Sequence, residues 1–143
     1  MLRQVAALVW EAPQTVLGAA TWVALRARGR VVRTVRERGR LVTEIDGDGA
    51  VSLGLFVFYT RHDGPFVPVG PENKHHELGH ARQSALLGPL YLPLVGVPST
   101  LRVGYAIAHK LVRGRRWGGY YDGFPERWAD ELGGVDRSQR PPP

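Results

Sequence analysis

Apolar positions at the start of the chain recur with the three-to-four-residue spacing of a helix. The series begins near Val5 and continues to about Arg28. Pro13 falls inside this segment, where a proline either kinks a helix or opens a new one. The pattern therefore predicts an N-terminal amphipathic helix from Leu2 to about Arg28, bent or restarted near Pro13.

The pattern then changes to short β-branched and apolar stretches separated by turns, over the range Val31–Tyr59. Arg38-Gly39 and the run Asp46-Gly47-Asp48-Gly49 are turn signals. Val51–Thr60 has the composition of one strand. We therefore predict a small antiparallel β-meander of two or three strands.

The second half of the chain returns to helical spacing. Helices are predicted over Glu72–Leu87, over about Leu101–Val112, and over Glu126–Leu132 after a proline that can open a helix. The stretch Gln83–Leu101 carries no charge but contains three prolines, which exclude one regular helix. Such a stretch is buried, re-entrant, or laid along a membrane surface.

Helices on both sides of a small separate sheet predict the α+β class. We expect one domain over residues 1–135, in which residues 1–30 form a helix that can associate with a membrane. Residues 136–143 end in three prolines, and we expect them to form a disordered tail.

Composition narrows the chemistry that a chain of 143 residues can perform. It contains no cysteine, which excludes disulfides, thiolate catalysis and cysteine-based metal sites. Any metal must be held by His, Asp or Glu. Glu11 and Pro13 interrupt the apolar N-terminus, so no secretory signal is expected and the predicted location is cytoplasmic.

The net charge is +6, and arginines concentrate in the segment Arg26–Arg40. An apolar helix followed by arginines is typical of an anionic membrane surface, which we predict as a partner on the inner face of the cell membrane. A polyanionic nucleic acid is the alternative partner for such a run. We do not expect it, because no recognised nucleic-acid-binding motif is present.

One motif carries chemistry, the H-E-x-x-H sequence His76-Glu77-Leu78-Gly79-His80. Residues four apart share a helix face, so His76 and His80 can present imidazole nitrogens to one metal ion. Glu77 can reach a water bound to that ion without binding the metal itself. A metal lowers the pKa of its bound water, and Glu77 is therefore the candidate general base. His75 is expected to point away from the site.

A catalytic zinc needs a third protein ligand and an open position for water. Glu126 and Asp130 are four residues apart and share a face of the last predicted helix. Glu126 is the candidate third ligand, and Asp130 is the candidate hydrogen-bond partner of a ligand histidine. Asp122 and His109 remain competing ligands.

His76-Glu77-x-x-His80 followed by Glu126-x-x-x-Asp130 resembles the gluzincin branch of zinc metallopeptidases. The resemblance implies a zincin-like helix with the first motif and a later helix with the second. It implies zinc bound by His76, His80 and Glu126, Glu77 as the base, and Asp130 as support for a histidine.

A second resemblance covers about residues 72–134. The stretch His76-Glu77-Leu78-Gly79-His80-Ala81-Arg82-Gln83-Ser84, then Leu87-Gly88-Pro89-Leu90-Tyr91 and Pro98-Ser99, is similar to small uncharacterised bacterial proteins that share an H-E-x-G-H-x-x-Q-S pattern. This likeness implies no reaction. We expect Gln83, one turn past the second histidine, to contact the metal ligands or cap the helix.

The gluzincin resemblance implies a zinc-dependent metallopeptidase or amide hydrolase that acts on a peptide or protein. Such a site needs a donor for the oxyanion, and the candidates are Tyr120, Tyr121, His109 and His62. Val51–Thr60 would offer backbone groups to an extended substrate. The alternative is a non-catalytic, membrane-associated structural protein that zinc stabilises, for which a closed four-ligand site would be expected.

Overall fold

The computed structural model describes residues 2–138 and has the predicted α+β class, with five α-helices and a four-stranded sheet. The elements in chain order are α1 (Leu2–Trp10), α2 (Ala12–Ala27), β1 (Val31–Glu37), β2 (Arg40–Ile45), β3 (Val51–Leu53), β4 (Phe56–Tyr59), α3 (Asn73–Leu87), α4 (Val97–Arg113) and α5 (Glu126–Gly133). The predicted N-terminal helix is thus two helices, and the second begins just before Pro13.

The sheet differs from the predicted antiparallel meander in its central pairing. Its strand order is β1-β2-β4-β3, and β2 pairs with β4 in parallel, whereas the two outer pairings are antiparallel. The range Val51–Thr60 was expected to be one strand but divides at Gly54. The turn there has a positive φ of 60° and packs against α2, where the Leu55 amide donates to the Thr15 hydroxyl. This tight turn lets β4 insert beside β2 and leaves β3 at the sheet edge.

Helices cover both faces of the sheet. On one face α2 approaches closely, since a Cβ added at Gly18 would lie 2.8 Å from the Cβ of Phe56. The Trp22 indole on the same helix donates to the Thr34 hydroxyl of β1. The opposite face packs against α3 through a core of Val42, Val57, Tyr59, Leu78 and Ala81.

Two glycines bring α3 and α5 into backbone contact. A Cβ at Gly79 of α3 would lie 2.7 Å from the carbonyl carbon of Ala129, and one at Gly133 of α5 would lie 3.0 Å from that of His75. Any larger side chain would hold the helices apart. This approach places the polar face of α5 over the H-E-x-x-H motif.

The proline-containing stretch after α3 is helical but irregular, as the three prolines predict. Gly88 ends α3 with a positive φ of 54°. A 3₁₀ turn (Gly88–Leu90) and a π-helical turn (Leu92–Gly96) then lead into α4, which begins four residues before the predicted Leu101. Within residues 2–138, no helix combines the length and apolar character needed to cross a bilayer.

The segment after α5 returns to the core. Arg137 stacks on the Tyr121 ring, with the guanidinium carbon 3.4 Å from the ring centroid. It also donates to both carboxylate oxygens of Asp130, to Oδ1 over 2.8 Å. Residues 139–143 of the predicted disordered tail lie outside the described part of the chain.

Candidate metal centre

The structure brings together three of the predicted site residues at the contact of α3 and α5. His76 Nε2 lies 3.0 Å and His80 Nε2 lies 3.1 Å from the same oxygen, Oε2 of Glu126. All three donor atoms lie within 4.8 Å of one another, and all three residues are buried. The i, i+4 spacing on α3 places the two imidazoles on one helix face. The close contact at Gly79 brings α5, and with it the Glu126 carboxylate, next to them.

Each imidazole is oriented by a bond to its far nitrogen. His76 Nδ1 lies 2.7 Å from Asp130 Oδ1, and His80 Nδ1 lies 2.7 Å from Gln83 Oε1. A carboxylate and an amide oxygen only accept, so both Nδ1 atoms carry the proton and both Nε2 atoms face the centre. The Gln83 amide is itself fixed, because its NH₂ donates to the Pro125 carbonyl over 3.0 Å. Gln83, which was expected to contact the metal ligands or cap the helix, thus contacts the candidate ligand His80.

Ser99 of α4 orients the carboxylate. Its hydroxyl donates to Oε1 of Glu126 over 2.5 Å, which leaves Oε2 for the two imidazoles. The sequence did not predict Ser99 as a site residue, and it appeared only as part of Pro98-Ser99 in the second resemblance. Its polar side chain in an otherwise apolar stretch was the available signal.

The charges of the centre fit a bound cation. Burial lowers the pKa of His76, but its bonds to Asp130 and Glu126 outweigh burial and raise the pKa to about 9. Burial raises the pKa of Glu126, but its bonds to His76 and His80 hold that pKa well below the usual range. A buried carboxylate therefore stays ionised, and a proton on His76 balances it.

The centre lies at the base of a cavity of about 670 Å³. Its walls are mainly apolar and include Val51, Phe66, Val67 and Ile107. Glu77 is buried and also lines the cavity. Its Oε2 has no hydrogen-bond partner among the described residues. Burial raises the pKa of Glu77, against the lowering effect of the two imidazoles.

The remaining candidates are placed differently. Tyr120 and Tyr121 line the cavity, but the Tyr121 hydroxyl donates to the Pro68 carbonyl over 2.8 Å. Burial raises the pKa of Tyr120, which keeps its hydroxyl protonated and able to donate. Within the described chain, His109 is absent from the cavity lining and its Nδ1 lies 3.1 Å from the Arg115 carbonyl. Asp122 is exposed and lies outside the donor group.

Two further residues support the centre and were not singled out from the sequence. Arg137 donates to both oxygens of the Asp130 carboxylate, including Oδ1, which also accepts from His76. The Tyr91 hydroxyl donates to the Ser52 carbonyl of the edge strand β3 over 2.9 Å. Neither has a local sequence signal, because each acts on a residue brought near only by the fold.

A comparison of the chain with known protein families, with characterised proteins and with solved structures finds no match.

Proposed function

We propose that this protein is a zinc-dependent metallopeptidase or related amide hydrolase. The observation that carries the proposal is the convergence of two imidazoles and one carboxylate beside a cavity that Glu77 also lines, with the buried Oε2 of Glu77 lacking a hydrogen-bond partner among the described residues. His76, His80 and Glu126 would hold the ion.

The spacing of the donors fits a tetrahedral metal. Zinc bonds to nitrogen and oxygen of about 2.0–2.2 Å place neighbouring ligands roughly 3.3 Å apart. The two nitrogen–oxygen distances here are 3.0 and 3.1 Å. Two His and one carboxylate also suit ferrous iron, but a glutamate base beside them favours zinc.

The donor group favours a catalytic over a structural site. Among residues 2–138 it contains three members, and neither His109 nor Asp122 supplies a fourth. A closed structural zinc would need that fourth protein ligand. The free position would face the cavity, since all three ligands line it.

A bound zinc ion would supply Lewis acidity and a lowered pKa of water. Glu77 would accept the proton of the attacking water and pass it to the leaving amine. Tyr120, protonated and at the cavity wall, would donate to the developing oxyanion. Burial raises the pKa of Glu77, which makes its carboxylate a stronger base, and its Oε2 has no competing hydrogen-bond partner among the described residues.

An extended peptide is the proposed substrate. β3 is the edge strand of the sheet and lines the cavity. The outer edge of β3 would offer a peptide those backbone groups that lack a partner within the protein, which excludes the Ser52 carbonyl because it accepts from Tyr91. The apolar walls would accommodate apolar side chains of the substrate.

The test is metal analysis followed by hydrolysis. Protein purified without chelator should contain about one zinc per chain by mass spectrometry, and His76→Ala and Glu126→Ala should lose it. Glu77→Gln should keep the zinc and lower the cleavage rate of a fluorogenic peptide library by about 10² to 10⁴-fold.

His75→Ala is the matched control, because His75 adjoins the motif but is exposed and lies outside the donor group. It should keep both zinc and turnover. Full turnover in Glu77→Gln would refute the base assignment, and iron in place of zinc would refute the proposed cofactor.

We further propose that the enzyme acts while attached peripherally to the inner face of the cell membrane. The arginines of the segment Arg26–Arg40 follow an apolar helix, a pattern that is typical of attachment to an anionic membrane surface. Its arginines are not equivalent, because Arg40 is partly buried and pairs with the buried Glu11 over 2.9 Å, whereas Arg33 pairs with Glu44 over 3.0 Å and remains exposed. Arg40 is therefore not available to lipid headgroups, whereas Arg33, Arg36 and Arg38 are exposed and would be able to bind them.

A further inference from the structure

The helical stretch from the 3₁₀ turn through α4 has apolar side chains on two sides. Among the described residues, only one of these sides is packed against the rest of the protein. Tyr91, Val95 and Ala106 are buried beneath it. On the outer side, apolar residues recur every three or four positions and are exposed by 47 to 69%: Leu90, Leu94, Val97, Leu101 and Tyr105. We call these five residues the outer stripe. A helix in contact with water would carry polar residues there.

The apolar surface continues beyond the stripe at both ends. Val112 is 80% exposed at the end of α4, and Leu86 is 62% exposed at the end of α3. Trp10, which is 51% exposed, lies beside Leu86 because its indole donates to the Ala85 carbonyl over 3.0 Å. The surface spans on the order of 30 Å along the helix.

The chain segment that carries the outer stripe has charges of one sign. No acidic residue occurs between Glu77 and Asp122, whereas Lys110, Arg113 and Arg115 follow the stripe. A second copy of the chain would bring the same positive charge to the contact, but anionic headgroups would neutralise it. Apolar side chains beside exposed cations match the boundary between acyl chains and headgroups.

The cavity opens next to this surface. Val97 and Leu101 belong to the outer stripe and also line the cavity that leads to the candidate metal centre. A partner bound at the stripe would therefore lie beside the mouth of the cavity.

We propose that the outer stripe is the membrane-docking face and that its partner is an anionic lipid bilayer. This inference rests on the proposed peripheral attachment but not on hydrolysis, and it assigns the contact to α4 instead of to Arg26–Arg40. The stripe inserts among the acyl chains, the cations at the end of α4 bind headgroups, and substrates at the bilayer surface reach the cavity directly.

The test is cosedimentation of the full chain with vesicles. Wild-type protein should bind vesicles of equimolar phosphatidylcholine and phosphatidylglycerol more tightly than pure phosphatidylcholine. Leu90→Glu combined with Leu94→Glu should lower the partition coefficient by about tenfold or more, since neither residue lines the cavity and both lose apolar contact with lipid. The charge-matched control combines Val32→Glu and Val35→Glu, which are 58% and 41% exposed on β1, and should retain binding.

A second measurement avoids charged substitutions. The chain has no cysteine, so Leu94→Cys and Val32→Cys each provide a unique site for an environment-sensitive fluorophore. The label at position 94 should shift to shorter wavelength on anionic vesicles, and the label at position 32 should not. Equal behaviour of the two labels would overturn the proposal.

Other outcomes separate this inference from the proposed attachment. If Arg36→Gln with Arg38→Gln abolishes binding and the leucine variant binds like wild type, the attachment stands but the outer stripe is not its face. If wild-type protein binds no vesicles, both fail, whether or not the protein hydrolyses peptides. If the leucine variant instead dissolves a dimer seen by light scattering, the stripe is a subunit interface and the bilayer proposal fails.

Discussion

Gly79→Ala is the substitution that most directly tests how the fold builds the metal centre. The added Cβ would lie 2.7 Å from the carbonyl carbon of Ala129 and closer still to its oxygen. Both atoms are backbone of α5, so no side-chain rotation relieves the contact. The helix must move away from α3 by about 1 Å, carrying Glu126 and Asp130 with it.

The magnitude follows from two opposing effects. Alanine is the better helix former by about 1 kcal/mol in a helix interior, whereas an overpacked contact between helices costs about 1–3 kcal/mol. The balance should lower the melting temperature. Metal binding should suffer more, because ligand distances tolerate only about 0.2 Å, and we expect zinc affinity to fall at least about tenfold.

The assay is chelator competition for zinc affinity together with a thermal melt. Gly104→Ala is the matched control, because Gly104 also lies inside a helix and has nothing within 4 Å of the added Cβ. It should keep the affinity and melt at or slightly above the wild-type temperature. If Gly79→Ala bound zinc with wild-type affinity, α5 would not depend on this contact, and the assembly of the centre described above would be wrong.

Three further substitutions test the support of the centre and of the fold. Asp130→Asn should weaken zinc binding about 10- to 100-fold by chelator competition, because the ligand imidazole loses the carboxylate that orients it. Ser99→Ala should weaken zinc in the same assay without lowering helix content by circular dichroism, since only the orientation of the ligand carboxylate changes. Arg40→Met should lower the free energy of unfolding by about 3–5 kcal/mol in urea, because it leaves the buried Glu11 carboxylate without its cation. The control Arg33→Met should cost under about 1 kcal/mol, because Arg33 is exposed and its partner Glu44 also pairs with Arg61.

Local signals were enough to predict the helices and part of the centre. The i, i+4 spacing of His76 and His80 needs only helix geometry. Glu126 was assigned by requiring a third ligand on a helix face, and the fold places it beside both imidazoles. Gly88 and its neighbouring proline predicted the end of α3 correctly.

The strand order and the role of Ser99 could not be predicted in this way. β4 inserts beside β2 because Gly54 turns tightly against Thr15 of α2, and that contact spans about forty positions. Ser99 orients the ligand carboxylate only because the irregular turns before α4 aim its hydroxyl inward. Both features depend on contacts between residues far apart in the chain, which the spacing of apolar residues along the sequence does not predict.

The N-terminal helices are part of the scaffold of the centre. Glu11, which sequence analysis treated only as an interruption of an apolar segment, accepts from Arg40 of β2 over 2.9 Å and from Ser84 of α3 over 2.5 Å. Gln14 donates to the same serine hydroxyl. Since Ser84 lies one turn beyond His80, this buried hydrogen-bond network fixes α3 against the N-terminal helices and β2.

Two regions of the molecule are unfavourable in water alone: the buried polar side chains of the candidate centre and the exposed apolar side chains of the outer stripe. The buried face of α3 carries two imidazoles and a carboxylate, and burying such groups is unfavourable without a cation or hydrogen bonds to balance them. The outer stripe leaves apolar side chains exposed along α4, which is unfavourable without a partner. A metal ion would stabilise the first region and a bilayer the second. Because Val97 and Leu101 belong to the outer stripe and also line the cavity, a bilayer bound at the stripe would lie next to the cavity that contains the candidate metal centre.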